Sequence, residues 1–309
     1  MRPRLHPPAH PLALLLVLGV CMGYGAALRW QEPPVAAEPR TIDLRVMTFN
    51  LRYASEQPPN AWPVRRPVLK SAVLEAQPDL IGTQEGLYAQ LRDLAQDLPD
   101  YDWIGEGREG GSGGEFMAIF YRRARLEPRA YGHLWLSDTP SVVGSKTWGN
   151  RLPRMVTWVR FRDKASGVEF YHWNTHFDHQ SQPAREKSAE LLLKEIRGRN
   201  RVLPVVVTGD FNHPQGGIVH QTLLHPLEGA LNLADAWDVA RERLGDQIGT
   251  FHGFTGSTDN PSRIDWILIS PEFECDTIAV QTYHENGQFP SDHFPVLAEL
   301  RLTSPPVEP

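Results

Sequence analysis

The chain has 309 residues, a formal net charge of −6 and 41% hydrophobic residues. These are values of an ordinary soluble globular protein with room for a large core. The acidic balance, with no run of Lys or Arg to offset it, disfavours an electrostatic grip on nucleic-acid phosphates, although a bound divalent cation would compensate local acid.

Arg2 and Arg4 precede an apolar run, Leu12 to Met22, followed by small residues Gly23, Gly25, Ala26 and Ala27. This order predicts an export signal over residues 1–27, with an uncleaved N-terminal anchor as the alternative. Leu18-Gly19-Val20-Cys21 is a poor lipoprotein signal, because Val20 is bulky. Residues 28–40, with Pro33, Pro34 and Pro39, read as a Pro-rich linker. Once a signal is removed only Cys275 remains, which excludes an intramolecular disulfide and a cysteine metal cage.

Alternation over Ile42 to Leu51 predicts a strand, and helical spacing follows over Pro63 to Ala76. A second strand, Asp79 to Glu85, precedes a helix over Tyr88 to Leu98. Strands are expected at Asp102 to Gly105, Glu115 to Arg122, Arg154 to Arg162 and Val168 to Thr175. The Gly-rich stretch 105–114 reads as a mobile loop. Pro183 to Arg199 is the clearest helix, ended by Gly198. Val205-Val206-Val207-Thr208-Gly209-Asp210-Phe211-Asn212 reads as a buried strand whose end carries a carboxylate and an amide on one side. Short helices at Ile218 to Leu224 and Ala234 to Ala240 lead to strands at Ser262 to Ser270, Thr277 to Tyr283 and His293 to Leu302. Residues 303–309 read as a disordered tail. No linker interrupts 41–302, which is therefore one domain, and two similar batches of elements suit two packed sheets with helices outside.

Several of these strands end in groups unsuited to a core: Asn50, Glu85, His176, Asp210 with Asn212, Asp265, and Asp292 with His293. Carboxylates and an amide without Cys suit a hard cation, Mg2+, Mn2+ or Ca2+, better than zinc. Histidines beside carboxylates supply proton donors and acceptors near neutral pH. Together they point to metal-assisted hydrolysis.

Thr48-Phe49-Asn50, Gln84-Glu85, Asn174-Thr175-His176, Gly209-Asp210-Phe211-Asn212, Arg263-Ile264-Asp265 and Ser291-Asp292-His293-Phe294-Pro295 stand in the order found in the endonuclease/exonuclease/phosphatase superfamily. The resemblance spans Thr41 to Leu302 and looks like a secreted bacterial branch. It implies a four-layer α/β/β/α sandwich, two mixed sheets face to face with outer helices, and divalent-metal phosphoester hydrolysis. It also implies metal ligands Glu85, Asn50 and Asp292, and a pair, Asp210 and Asn212, that positions water and phosphoryl oxygens. Asp265 resembles the carboxylate that orients His293, expected as base, and His176 the histidine near the leaving group, expected as acid. Glu115-Phe116-Met117-Ala118-Ile119-Phe120-Tyr121-Arg122 resembles a deoxyribonuclease-branch strand whose Glu supports that second histidine. Arg154 resembles a phosphate-contacting arginine of the same branch.

Each residue has a plainer reading as well. Asn50 alone is a turn former, and Glu85 alone a solvated acid. His176 and His179 alone read as surface histidines, His179 and Asp178 are the weaker candidates for a role, and His172 and His213 read as structural. Arg52 and Tyr53 line the cleft or pack, and Trp148 and Asn150 shape the substrate loop or do not. The expectation is an exported, monomeric, metal-dependent phosphodiesterase or phosphatase on a small or lipid-linked phosphoester. It would touch a membrane only through an uncleaved N-terminal segment. An extracytoplasmic nuclease is the enzymatic rival, and a phosphate-binding module on the same fold the non-enzymatic one.

Overall fold

In a computed structural model, residues 40–199, 203–245 and 247–304 are described. The expected leader and most of the linker lie outside them, as does the tail from residue 305. The domain runs slightly beyond 41–302, because Arg40 and Thr41 pair with Ser304 and Thr303.

The elements in chain order are β1 (Arg40–Asn50), α1 (Trp62–Ala76), β2 (Leu80–Gln84), β3 (Gly86–Leu87), α2 (Tyr88–Asp97), β4 (Tyr101–Ile104), β5 (Glu115–Phe116) and β6 (Ile119–Arg122). Then come β7 (Leu126–Trp135), β8 (Met155–Asp163), β9 (Glu169–His176), α3 (Gln182–Arg199), β10 (Val205–Asp210) and α4 (Ile218–Leu224). The rest are β11 (Ala234–Asp235), α5 (Ala236–Val239), β12 (Glu242–Leu244), β13 (Asp265–Ile269), β14 (Phe273–Val280) and β15 (Val296–Ser304). One sheet has the order β12-β14-β15-β1-β2-β6-β4, the other β11-β13-β10-β9-β8-β7, and β3 pairs with β5.

The three large apolar clusters separate four layers. Val46, Leu80, Phe161, Phe170, Val206, Ile267 and Ala298 pack between the sheets. Met47, Phe49, Ile81 and Phe120 pack outward against Leu69 and Val73 of α1 and Leu91 and Leu94 of α2. Trp173, Val205, Val207 and Leu268 do the same against Leu192 and Ile196 of α3 and Val219 and Leu223 of α4. The sandwich is the expected α/β/β/α arrangement. Central strands are buried on both faces, so their sequences read as nearly continuous apolar runs.

Several elements differ from expectation. The strand 126–135 was not anticipated, and neither was β12. Pro128 breaks the pattern of β7, and the register shifts between Pro128 and Ala130, as at a bulge. The expected strand 115–122 is broken between β5 and β6. Gly198 lies inside α3 rather than ending it. The expected helix 234–240 is a two-residue strand followed by a short helix, capped where Asp235 accepts from Trp237 N at 2.9 Å.

Candidate active site

Strand parity aims the polar ends at one place. In β10, Val206 faces the other sheet and Val205 and Val207 face the helices, so Thr208 and Asp210 also point between the sheets. The same parity carries Thr48 and Asn50 in β1, Asn174 and His176 in β9, and Ile267 and Asp265 in β13. Pairing brings these ends to one edge. Parallel β9 and β10 set His176 beside Asp210, and antiparallel β13 starts where β10 stops, so Asp265 pairs with Asp210. Parallel β1 and β2 put Asn50 beside Gln84, one residue before Glu85. Antiparallel β15 begins at the same end, just after Asp292 and His293.

Below this edge the sheets are bolted together. Gln84 Nε2 donates to Asn174 Oδ1 at 2.8 Å, and Asn174 Nδ2 donates to the carbonyls of Thr83 and Ala118 at 2.8 and 3.0 Å. Gly82 permits the approach, since a Cβ there would lie 1.9 Å from Thr208 Oγ1. Gln84 and Asn174 thus belong to the motifs for structural reasons.

Above it, Asn50 Nδ2 donates to Glu85 Oε1 at 3.1 Å and to Asp210 Oδ2 at 2.9 Å. Arg52 N returns to Asn50 Oδ1, and Asn212 N to Asp210 Oδ1, both at 2.9 Å. These side-chain turns close both strand ends. Arg52, Glu85 and Asn212 all have positive φ, 51°, 60° and 48°. Such backbone is strained for non-glycine residues and persists where its surroundings hold it. The fully buried Arg65 of α1 supplies that hold around Arg52. It donates to the carbonyls of Asn60, Leu51, Pro290, Arg52 and Tyr53 at 2.8–3.1 Å.

The pocket encloses about 380 Å3 and is lined by Glu85, His176, Asp210, Asn212, Asp292 and His293, among others. His293 Nδ1 lies 2.9 Å from Asp265 Oδ2, and its Nε2 3.9 Å from Asp210 Oδ2. Burial alone would discharge this ring, but the charges of Asp265, Asp210 and Asp292 reverse that and raise His293 to about 10. Burial and the neighbouring Asp265 raise Asp210 to about 7. Burial, Arg154 and Arg108 hold His176 well below its ordinary value. The two rings are thus pushed in opposite directions: the carboxylates around His293 favour its protonated form, and burial with two arginines favours the neutral form of His176.

His176 also has different neighbours from those expected. Its Nε2 meets Asn212 Nδ2 at 3.0 Å, and Arg154 Nη1 approaches its Nδ1 at 2.9 Å. Glu115 does not support it. The Glu115 carboxylate takes Arg108 Nη1 at 2.5 Å, and Arg108 N also bonds Glu115 O at 2.9 Å. The break after Phe116 and the adjoining Gly-rich loop deliver Arg108 to that carboxylate. The stretch read from its composition as a mobile loop carries hydrogen bonds of its own: Gly107 N bonds Gly111 O, and Glu109 N bonds Gly113 O, at 2.9 and 3.1 Å. A Cβ on Gly107 would meet Gly113 O at 2.1 Å.

Arg154 is buried and lines the pocket. Asp178 holds its Nε at 3.4 Å, and His179 Nδ1 its Nη2 at 2.8 Å. His179 lines the pocket, so it is not merely a surface histidine, and Asp178 is buried behind it against Arg154. Arg52, Tyr53, Arg108 and Phe251 line it too, whereas Trp148 and Asn150 do not. Arg108 and Phe251 were missed; only an Arg in a glycine-rich stretch next to the Glu115 strand could have signalled the first. His172 is buried against Thr208, and His213 is a half-buried residue in a bend, consistent with structural places.

The oxygen set suits a hard divalent ion. Glu85 and Asp292 share one cation, Arg52, at 3.6 Å from each, longer than a hydrogen bond. Burial raises Asp292, the His293 charge opposes that, and the charge of Glu85 adds to it. Ligand atoms of Glu85, His176 and Asp210 also lie within 4.8 Å of one another. Glu85, Asp292 and Asn50 would hold the ion, which would neutralise phosphoryl oxygens and charge developing on the leaving oxygen.

Residues 47–293 match the Endonuclease/Exonuclease/phosphatase family. The chain belongs to that family. It is similar to a family protein of known structure from Bacteroides thetaiotaomicron, at 35% identity and TM-score 0.78, covering 85% of this chain and 99% of that one. It is also similar to a mannosyl-6-phosphatase of Bacteroides thetaiotaomicron, at 36% identity and TM-score 0.76, covering 83% and 99%. Among curated sequences it matches Nocturnin of Drosophila melanogaster, at 23% identity over 290 residues. That match covers 79% of this chain and 42% of the fly protein. An uncharacterised mimivirus protein, L388, is 29% identical over 161 residues, 49% of this chain and 59% of that protein. The chain thus spans only about half the length of these curated relatives. Members of that family are metal-dependent phosphoester hydrolases.

Proposed function

We propose that this enzyme is an exported, Mg2+-dependent phosphomonoesterase acting on a small phosphorylated carbohydrate. The pocket carries the proposal: a charged floor in about 380 Å3, rimmed by the exposed Tyr53, Leu152 and Phe251. That volume suits a small ligand, and an aromatic rim suits the apolar face of a sugar ring. Similarity to a mannosyl-6-phosphatase supports the same substrate class. The net charge of −6 weighs against a nuclease. Export rests on the N-terminal sequence. Among the described residues no helix is long and apolar enough to cross a membrane.

In this reading Arg154, held by Asp178 and His179, contributes positive charge to the phosphoryl site, with Asn212 beside it. The protonated His293, fixed by Asp265, stabilises charge on the phosphoryl group, and Asp210 accepts a proton from the attacking water. His176 stays neutral and orients Asn212. Glu115 fixes Arg108. Mn2+ is the expected substitute cation, with Ca2+ a poorer one. The test is a panel of sugar, inositol and nucleotide monophosphates, a model diester and plasmid DNA, each with Mg2+ and with EDTA. Metal-dependent phosphate release from sugar phosphates is expected; plasmid nicking without phosphate release would replace this reading with the nuclease.

A further inference from the structure

We infer that Arg108 sets the preference of this site for phosphomonoesters over phosphodiesters, by binding the terminal phosphoryl oxygens that a diester lacks. The inference rests on the phosphomonoesterase reading above.

Three arginines line the pocket, and two are committed elsewhere. Arg154 has each guanidinium nitrogen within hydrogen-bond reach of Asp178, His176 or His179. Arg52 lies between Glu85 and Asp292 and over the Tyr53 ring at 4.4 Å. Arg108 differs. It is only 6% exposed, its Nη1 holds Glu115, and its Nε is buried without a hydrogen-bond partner. Among the described residues its Nη2 has no protein partner either. A buried guanidinium with idle donors is costly unless a ligand completes it.

The side chain is also aimed in advance. The Arg108 carbonyl accepts from Trp135 Nε1 at 2.7 Å, and its amide donates to Glu115 O at 2.9 Å. The glycine loop holds the backbone from the other side. Glu115 fixes one arm of the guanidinium fork, and the side chain that carries the unpartnered Nη2 lines the pocket. A planar fork of this kind matches two oxygens of a terminal phosphoryl group. A monoester presents those oxygens with about two negative charges near neutral pH. A diester presents one charge, and its second ester group would meet this wall.

The test uses the full chain with Mg2+. It compares kcat/KM for p-nitrophenyl phosphate and bis-p-nitrophenyl phosphate in the wild type, Arg108→Met, Arg108→Lys and Glu115→Gln, and measures inhibition by inorganic phosphate. Arg108→Met should lower the monoester-to-diester ratio about 30-fold, mainly through KM, as loss of one charge-assisted pair implies. The inhibition constant of inorganic phosphate should rise by a similar factor. Arg108→Lys, which keeps the charge and loses the fork, should fall between, and it carries the test if Arg108→Met does not fold. Glu115→Gln should lower the ratio less than Arg108→Met. An equal loss on both substrates, or an unchanged ratio in Arg108→Met or Arg108→Lys, overturns the inference while leaving the monoesterase reading intact. Absence of monoester turnover in the wild type overturns both.

Discussion

Asn50 donates to Asp210 across the sandwich at 2.9 Å, and through the same amide to Glu85 at 3.1 Å. One side chain therefore ties the metal-ligand end of the first sheet to the hydrolytic end of the second. Asn50→Asp would turn that donor into a carboxylate facing two others. Turnover should fall by about two orders of magnitude, as expected when a positioned polar contact in a reacting site is lost. Steady-state rates on p-nitrophenyl phosphate check this. A wild-type rate would mean that the link is incidental.

Arg65 should matter for stability and for metal affinity together. Its guanidinium satisfies five carbonyls, two of them, Leu51 and Pro290, on the segments that carry Asn50 and Asp292. Burial lowers its pKa to about 10, so it remains charged at physiological pH. Arg65→Met should cost about 3–5 kcal/mol, because it leaves several buried acceptors unpaired. Urea unfolding measures the loss, and calorimetric titration with Mn2+ should show weaker binding in Arg65→Lys.

The His293 proton gives a pH signature. Its folded value, about 10, lies above that of an unfolded histidine. The stability it contributes is therefore complete below the ordinary imidazole range and is lost as pH rises through about 10. Asp210 has the opposite sense for a carboxylate: its value is raised, to about 7, so its ionisation costs stability as pH rises from the ordinary carboxylate range to about 7. NMR of the imidazole nitrogens in EDTA-treated protein should find His293 protonated at neutral pH. Asp265→Asn should move its titration sharply downward.

Gly82 tests the close approach of the sheets beneath the site. A methyl group there would sit 1.9 Å from Thr208 Oγ1 and 2.6 Å from Asn174 Oδ1. Gly82→Ala should destabilise by about 2–3 kcal/mol through overpacking, read as a lower urea midpoint.

The strand ends were legible because two-residue periodicity is local. Once Val206 faces inward, Asp210 must as well, and the same holds from Val46 to Asn50. What was not legible depends on distant chain segments. Glu115 takes Arg108 rather than His176 because a glycine-rich loop folds back with its own hydrogen bonds, and composition alone reads such a stretch as loose. The division of charge between His293 and His176 follows from three carboxylates around one ring and two arginines near the other, which no spacing reveals. In β7, Tyr131 is exposed and Pro128 interrupts the pattern, so the strand shows neither clean alternation nor an apolar run.

His293 is where the proposed chemistry is most exposed to refutation. His293→Gln retains a donor for Asp265 but removes the imidazolium beside Asp210. Initial rates of phosphate release from p-nitrophenyl phosphate with saturating Mg2+ should fall about 1000-fold, while the unfolding midpoint shows the variant still folded. A folded His293→Gln protein turning over within a few-fold of wild type would contradict the assignment of this pocket as the place of hydrolysis.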